Sequence, residues 1–466
     1  MKKNGFVTEL YKIAIYLVDV VLILLSIYLA FMFRYNFNPP KFNYEPVLQI
    51  LPLIILAFLI FMYVFGLSNI LKLSVGEIIY STFLTVIAML ITTAFITFFA
   101  RGFSYPRTVL IISSVFQFVL LVFWRMIVWK IKRAAHGVKT ALVIGNDVAE
   151  TVTKKVLLKH RDLYDIKYIC NSDSCNLDEY LDKVEVVFIC NDVELEIKNK
   201  IVDNCLTDRK SVYIIPDIYE IALLNSKLNR IDDVPMLKVQ KLGLTLEQRF
   251  AKRVLDIVIS LIGVILSSPI MVVTAMIIKF TDGGNIFYGQ ERVTLNEKKF
   301  KVLKFRTMIM NAEKLTGPVL AGEDDPRITK IGKFIRATRI DELPQLLNIL
   351  KGDMSVVGPR PERPFFVEQF KKEIPEYKYR TIVKAGLTGL AQVLGKYTTT
   401  AEDKVRYDIM YIKNYSILLD LKLILQTVKI MFMKESSSGV KDEVSLKNLV
   451  DMLNVEITID EDGKDK

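Results

Sequence analysis

Four long apolar runs, at about residues 13–33, 47–65, 78–99 and 109–128, fill the first third of this chain and restrict its fold more than any other feature. Each is close to the roughly 20 residues that a helix needs to cross a bilayer. Charge inside them is sparse, with Asp19 near the start of the first and Arg125 near the end of the fourth, where long side chains reach the interface. The full chain of 466 residues is 52% hydrophobic, a size and composition that suit about three domains and a membrane protein. Lys2, Lys3, Lys12, Lys72, Lys130, Lys132, Arg133 and Lys139 fall on one side of the runs and Arg34, Lys41, Arg101 and Arg107 on the other. The richer side is expected in the cytoplasm, which makes residues 1–136 a four-helix transmembrane region with everything beyond it cytoplasmic. No small-residue cleavage site follows the first run, so it reads as an anchor.

From Thr140 to Gln240 the pattern changes to short β-rich runs, TALVIG, YDIKYIC, VEVVFIC and SVYIIP, separated by helical segments. This is the rhythm of a Rossmann-like α/β domain, expected over residues 137–240. A dinucleotide site needs glycines where the backbone meets the pyrophosphate, yet Gly145 is followed by Asn146, Asp147, Val148, Ala149 and Glu150. The domain therefore reads as degenerate, with a structural or regulatory role. Cys170, Cys175, Cys190 and Cys205 all lie here and are expected as reduced thiols, because their spacing is loose for zinc and the only histidines are His136 and His160. The formal charge of +11 suits anionic lipid and phosphorylated ligands; no nucleic-acid recognition signature accompanies it.

A fifth apolar run, at about residues 254–280, is long enough to span, but Ser267, Ser268 and Pro269 interrupt its centre. Proline removes a backbone donor and serine hydroxyls can satisfy the freed carbonyl, so Ser268 and Pro269 mark a helix break. Positive charge flanks both ends, and Asp256 is expected to pair with Lys252 one turn earlier. These features favour a re-entrant helix that enters and leaves by one face. Downstream, IDELPQLLNILKGDMSVVGPRPE from Ile340 sets Asp341 and Glu342 before a short apolar helix, among Lys304, Arg306, Arg327, Lys330, Lys333, Arg336, Arg339 and Arg360. Paired carboxylates ligate Mg²⁺ while Arg and Lys neutralise phosphoryl oxygens, a combination suited to phosphoryl transfer. At a helix start Asp341 would also meet free N–H groups that favour its ionised form, or would simply be the N-cap.

These blocks, with FKVLKFRTM from Phe300, KAGLTGLAQV from Lys384 and YDIMYIKNYSILLDLKLILQT from Tyr407, resemble the bacterial sugar transferases, also called monotopic phosphoglycosyl transferases. The resemblance covers about Leu246 to Met433 and implies an α+β catalytic domain over 241–434 with a re-entrant helix and interfacial amphipathic helices. It implies transfer of hexose-1-phosphate from a UDP-sugar to polyprenyl phosphate through a covalent Asp341 intermediate, with release of UMP, at the cytoplasmic face of the bacterial inner membrane. Asp341 matches the nucleophile and Glu342 its acidic partner in organising Mg²⁺; Lys304 and Arg336 match basic positions near the phosphates, Arg360 matches a motif close to the active site, and Arg306 and Arg339 are further candidate phosphate-binding residues. A homodimer is left open. Ala385 departs from the proline of many members, which should loosen that turn. Residues 435–466 read as a polar, mobile tail. Two other functions remain compatible with the residues: a nonenzymatic membrane scaffold sensing nucleotide through the α/β domain, and an NAD-dependent nucleotide-sugar-modifying enzyme.

Overall fold

The structure, a computed structural model, describes residues 2–99, 105–172, 177–208, 210–282, 284–309, 325–396, 399–431, 445–453 and 455–460. They divide into two compact units, Met1–Tyr213 with Leu446–Lys466, and Ile214–Ser445.

In the first unit the apolar runs form helices Lys2–Arg34, Lys41–Val64, Val75–Phe99 and Arg107–His136, all long and apolar enough to cross a membrane. Ile23, Ile54, Met89 and Leu121 are buried between them, while Leu17, Leu56, Ile91 and Phe123 face outward. An apolar exterior of this kind suits contact with acyl chains. Asp19 and Arg125 do not reach toward an interface as expected. Both are buried and bond to each other, and Arg125 also donates to the Leu67 carbonyl at 3.1 Å. Each charge removes the other's need for water.

The same unit holds a five-stranded sheet in the order Thr458–Asp460, Tyr164–Cys170, Lys139–Ile144, Val186–Ile189, Ser211–Ile214. The central strand runs parallel to both neighbours, and Leu142, Ile144, Val187 and Ile189 are wholly buried in its core. Cys190 and Cys205 are buried free thiols, with burial pushing Cys190 up to about 12. Cys170 differs from the expected reduced state, being disulfide-bonded. Part of the expected mobile tail is also ordered. Leu446–Leu453 is a helix whose first N–H bonds Glu150, and Thr458–Asp460 pairs in parallel with Tyr168–Cys170. Residues 435–444, 454 and 461–466 lie outside the described residues.

The second unit begins earlier than the expected residue 241. Ile221, in the helix Ile218–Leu223, is buried with Val293, Val367, Tyr377, Val405 and Ile409, which draws residues 214–240 into this unit. A hairpin, Lys227–Ile231 with Val234–Lys238, follows. Contrary to the expected helix break at Ser268 and Pro269, the helix Leu246–Asp282 continues through both. Pro269 has no N–H for the Ile265 carbonyl, and Ser268 Oγ donates to that carbonyl at 2.8 Å instead. One face of this helix rests on the unit at intervals between Lys252 and Ile278. Lys252 Nζ meets Asp420 at 2.6 Å and Tyr411 Oη at 3.0 Å; Arg253 donates to the Ile349 and Leu350 carbonyls at 2.7 Å each. Asp256 accepts from Ser355 Oγ and the Val356 N–H at 2.9 Å each, and so does not pair with Lys252 as expected. Farther along, Gly263 lies against Leu346, and Ile278 packs with Phe305 and Ile335. The opposite face exposes Leu261, Ile265, Leu266, Val272 and Val273.

The strands Phe287–Val293 and Lys299–Phe305 pair antiparallel, and Ser355–Val357 pairs in parallel with Gly386–Thr388. The segment from Tyr407 onward is two helices, Ala401–Lys413 and Ile417–Met431, and Asp420 in the second is buried against Lys252. Lys252→Met should destabilise this unit by about 3–5 kcal/mol, because it strands the Asp420 charge in an apolar surround. A Lys252→Met, Asp420→Leu double variant should recover most of that loss in thermal unfolding.

Candidate active site

Asp341 and Glu342 lie in a single 3-10 turn, Ile340–Glu342, between the helices Lys330–Ala337 and Gln345–Lys351. The turn is entered through Arg339 in the left-handed backbone region, φ 54°, a conformation that costs a side-chain-bearing residue energy and recurs at functional sites. Asp341 is not the N-cap of the following helix; Pro344 is, and it makes no side-chain cap. Asn348 fastens that helix to the neighbouring strand, accepting from the Leu303 N–H at 2.9 Å and donating to the Lys301 carbonyl at 2.9 Å. The strand then delivers Lys304 to both acids. Its Nζ stands 3.0 Å from Glu342 Oε1 and 3.6 Å from Asp341 Oδ2.

The two carboxylates share a lysine but not an environment. Arg360 Nη2 approaches Glu342 Oε1 at 3.3 Å and Arg339 Nη1 approaches Oε2 at 3.9 Å. Burial works against the Glu342 charge, yet Lys304, Arg360 and Arg339 outweigh it and hold the carboxyl well below the ordinary range. At Asp341 burial dominates, Glu342 adds repulsion, and Lys304 and Arg336 only partly offset them, so its carboxyl is raised. Arg360 is held more firmly protonated, chiefly by Glu342. Neighbouring acids pushed apart in this way are a signature of divided chemical roles.

Other expected cations are placed less directly. Arg336 Nε donates to Thr307 Oγ1 at 2.8 Å and acts on Asp341 through its charge. Arg306 is half-buried just past the strand, with its backbone N–H on the Ile286 carbonyl. Arg327 is engaged by Asp325, Nε to Oδ1 at 2.8 Å, and this pairing lowers Asp325 to about 2. Gly332 is required beside Thr307, since a Cβ there would meet the Thr307 carbonyl at 2.0 Å. Thr307 and Asn348 were missed in the sequence because neither carries charge. The Asn348 spacing from the acids was visible; its partners, more than 40 residues away, were not.

The Arg360 loop has its own brace. Arg380 Nη2 donates to the Arg360 carbonyl at 3.1 Å while its Nε donates to buried Asp408 at 2.6 Å. Nor does Ala385 loosen its turn as expected. Its N–H bonds Thr294 Oγ1 at 3.1 Å, a contact proline cannot make.

Among the described residues no group of three or more His, Cys, Asp or Glu side chains could enclose a metal ion. Mg²⁺ commonly takes only one or two protein carboxylates and completes its shell with water and substrate phosphate, so Asp341 and Glu342 fit that donor set.

The site is thus an acid pair braced by lysine and arginine, in the unit that also carries a long apolar helix. Residues 247–434 match the family described as bacterial sugar transferase. The chain is 41% identical over 218 residues to a UDP-N-acetylgalactosamine-undecaprenyl-phosphate N-acetylgalactosaminephosphotransferase of Aeromonas hydrophila, covering 46% of this chain and 51% of the relative. It is 39% identical over 265 residues to a UDP-glucose:undecaprenyl-phosphate glucose-1-phosphate transferase of Klebsiella pneumoniae, covering 55% and 56%. With an undecaprenyl-phosphate galactose phosphotransferase of Salmonella typhimurium it shares 35% over 245 residues, covering 49% and 50%. The chain thus spans about half the length of these curated relatives.

Because the folded carboxyl of Asp341 is raised, its ionisation favours unfolding once pH rises above the ordinary carboxylate range. Asp341→Asn should therefore raise the thermal midpoint at pH 8 and change it least near pH 4, measured by scanning fluorimetry. Glu342→Gln should do the reverse, since the depressed carboxyl contributes stability above about pH 4.3 that fades as pH falls through its folded value.

Proposed function

We propose that this protein transfers a sugar-1-phosphate from a UDP-sugar to polyprenyl phosphate, with Asp341 as covalent nucleophile. The observation that carries this reading is the unequal environment of the two acids. Asp341 combines a raised carboxyl with only one ion-pair partner among the described residues, Lys304 at 3.6 Å, so its ionised oxygen is a strong nucleophile. Glu342 is held ionised among Lys304, Arg339 and Arg360, which fixes those cations around the place where phosphoryl charge would develop.

In the first step an Asp341 oxygen attacks the phosphorus bearing the sugar; the bond to the bridging oxygen of the diphosphate breaks and UMP departs. Lys304, Arg336 and Arg360 are placed to neutralise the phosphoryl oxygens. In the second, a polyprenyl phosphate oxygen attacks the same phosphorus and frees the Asp341 carboxylate, leaving a sugar on a polyprenyl diphosphate. A bound Mg²⁺ would supply further neutralisation of phosphate charge. The three relatives are named for N-acetylgalactosamine, glucose and galactose, so similarity at this level leaves the sugar open.

One substrate dissolves in water and the other in lipid, which requires the acids to lie at a bilayer surface. The re-entrant reading of Leu246–Asp282 meets that requirement. Its support is that both arms rest on one compact unit, the first through Lys252, Arg253 and Asp256 and the second through Ile278. A straight helix of 37 residues would reach roughly 55 Å and separate those partners across the membrane. The richer Lys and Arg content at one end of the N-terminal helices favours the cytoplasmic face of the bacterial inner membrane.

The nucleotide-sensing and NAD-dependent alternatives meet an obstacle in the α/β sheet. Asp192 accepts the Asn146 and Val148 N–H groups at 3.1 and 3.0 Å, at the helix start where a nucleotide phosphate would sit. A Cβ on Gly145 would stand 2.9 Å from Asp192 Oδ1.

Incubation with a panel of UDP-sugars should leave a phosphosugar adduct on Asp341 in mass spectra, and Asp341→Asn should lower UMP release at least a thousandfold, about 4 kcal/mol. Full turnover by Asp341→Asn would sink the reading. For the helix, single cysteines at Leu246 and Phe287 should react with an impermeant maleimide from the same side of sealed vesicles; reaction from opposite sides would establish a crossing.

A further inference from the structure

A second cationic cluster lies away from the acids. Lys384 and Arg253 crowd one glycine, with Lys384 Nζ 3.6 Å and Arg253 Nη2 3.4 Å from where a Gly352 Cβ would be. Lys298 is a third cation acting on Lys384, and Asp256 and Asp353 are the carboxylates that do so. Both acids are otherwise engaged, Asp256 by Ser355 and Val356 and Asp353 by Lys351 at 3.4 Å. Arg253 directs donors to the Ile349 and Leu350 carbonyls. Lys384 is half-buried and has no hydrogen-bond or ion-pair partner among the described residues. Burial, then Arg253, lowers its ammonium below the ordinary lysine range, so its charge is held at a cost that a bound anion would relieve.

Position identifies the anion. Arg253 stands on the apolar helix beside Phe250, Val254 and Ile257, exposed at 74%, 46% and 39%, so a lipid whose phosphate reached the cluster would find apolar surface there for its acyl chains. Lys298 precedes the strand Lys299–Phe305 and Lys304 is near its end, so their backbones are about 20 Å apart at strand rise, which separates the two clusters.

We propose that Arg253, Lys298 and Lys384 bind the phosphate of an anionic phospholipid head group, at a site separate from Asp341 and Glu342. The bound lipid neutralises Lys384 and holds the first arm of the helix at a set depth.

The test uses the full-length protein in nanodiscs of phosphatidylcholine with phosphatidylglycerol, followed by native mass spectrometry of retained lipid. Wild type should retain phosphatidylglycerol selectively, and Lys298→Gln with Lys384→Gln should reduce that retention about twentyfold, near fivefold per charge. Lys384→Arg should keep it, which also controls for folding. Equal retention by wild type and the double variant overturns the proposal. So does unchanged phosphatidylglycerol retention with a raised KM for polyprenyl phosphate, which would assign the cluster to the acceptor. Displacement of the lipid by millimolar inorganic phosphate would point to a soluble anion and overturn it as well.

Discussion

A carboxylate in an apolar helix must find polar partners or lose its charge, and the second unit is built around how Asp256 finds them. Its oxygen receives Ser355 Oγ and the Val356 N–H, at the strand that follows the acid-bearing turn and its helix. Lys252, one turn earlier, is committed to Asp420 and Tyr411, and Arg253 to the carbonyl end of the helix Gln345–Lys351. Buried hydrogen-bonded charges are directional where apolar contacts are not, so these bonds determine the rotation and height of the membrane helix against the scaffold. Remove them, and the remaining contacts, Gly263 on Leu346 and Ile278 on Phe305, would tolerate sliding.

That scaffold explains how adjacent residues acquire opposite electrostatics. The left-handed Arg339 and the 3-10 turn point Glu342 toward Arg360, whose loop is braced through Arg380 to Asp408. Asp341 points away from Arg339 and Arg360, with Lys304 as its near cation, so its burial is only partly offset. An acid surrounded by three cations makes a poor nucleophile but a good organiser of charge. Its neighbour, kept from full neutralisation, has the converse properties.

Much of this was legible in the chain because it depends on periodicity and composition. The four apolar helices, the α/β rhythm and the acid pair among basic residues all follow from local patterns. The Ser268 hydroxyl bonding the carbonyl that Pro269 leaves free was legible too, since both residues and their partner lie within one turn. What was not legible depends on distant partners. Asp256 and Lys252 are suitably spaced to pair, yet each has a better-placed partner about 100 or more residues onward, Ser355 and Asp420. Arg125 lies near the end of its apolar run, where reaching outward is the local expectation, but the helix continues to His136 and Asp19 on another helix meets it inside. Arg339 gives no sign in sequence of its backbone conformation.

The α/β domain shows the same limit in a different form. Missing glycines in the segment after Gly145 signal only that a dinucleotide site is not built there; they do not say what occupies its place. The occupant is Asp192, brought from the end of the next parallel strand to the N–H groups that would otherwise face a phosphate. Glu150, a residue that seemed merely hostile to phosphate, instead receives the Leu446 N–H and helps seat the C-terminal helix, whose strand completes the sheet edge beside Tyr168–Cys170. Carboxylates on both contacts make the domain self-satisfied. A sheet whose anion position and one edge are both filled from its own chain is equipped to be a rigid support.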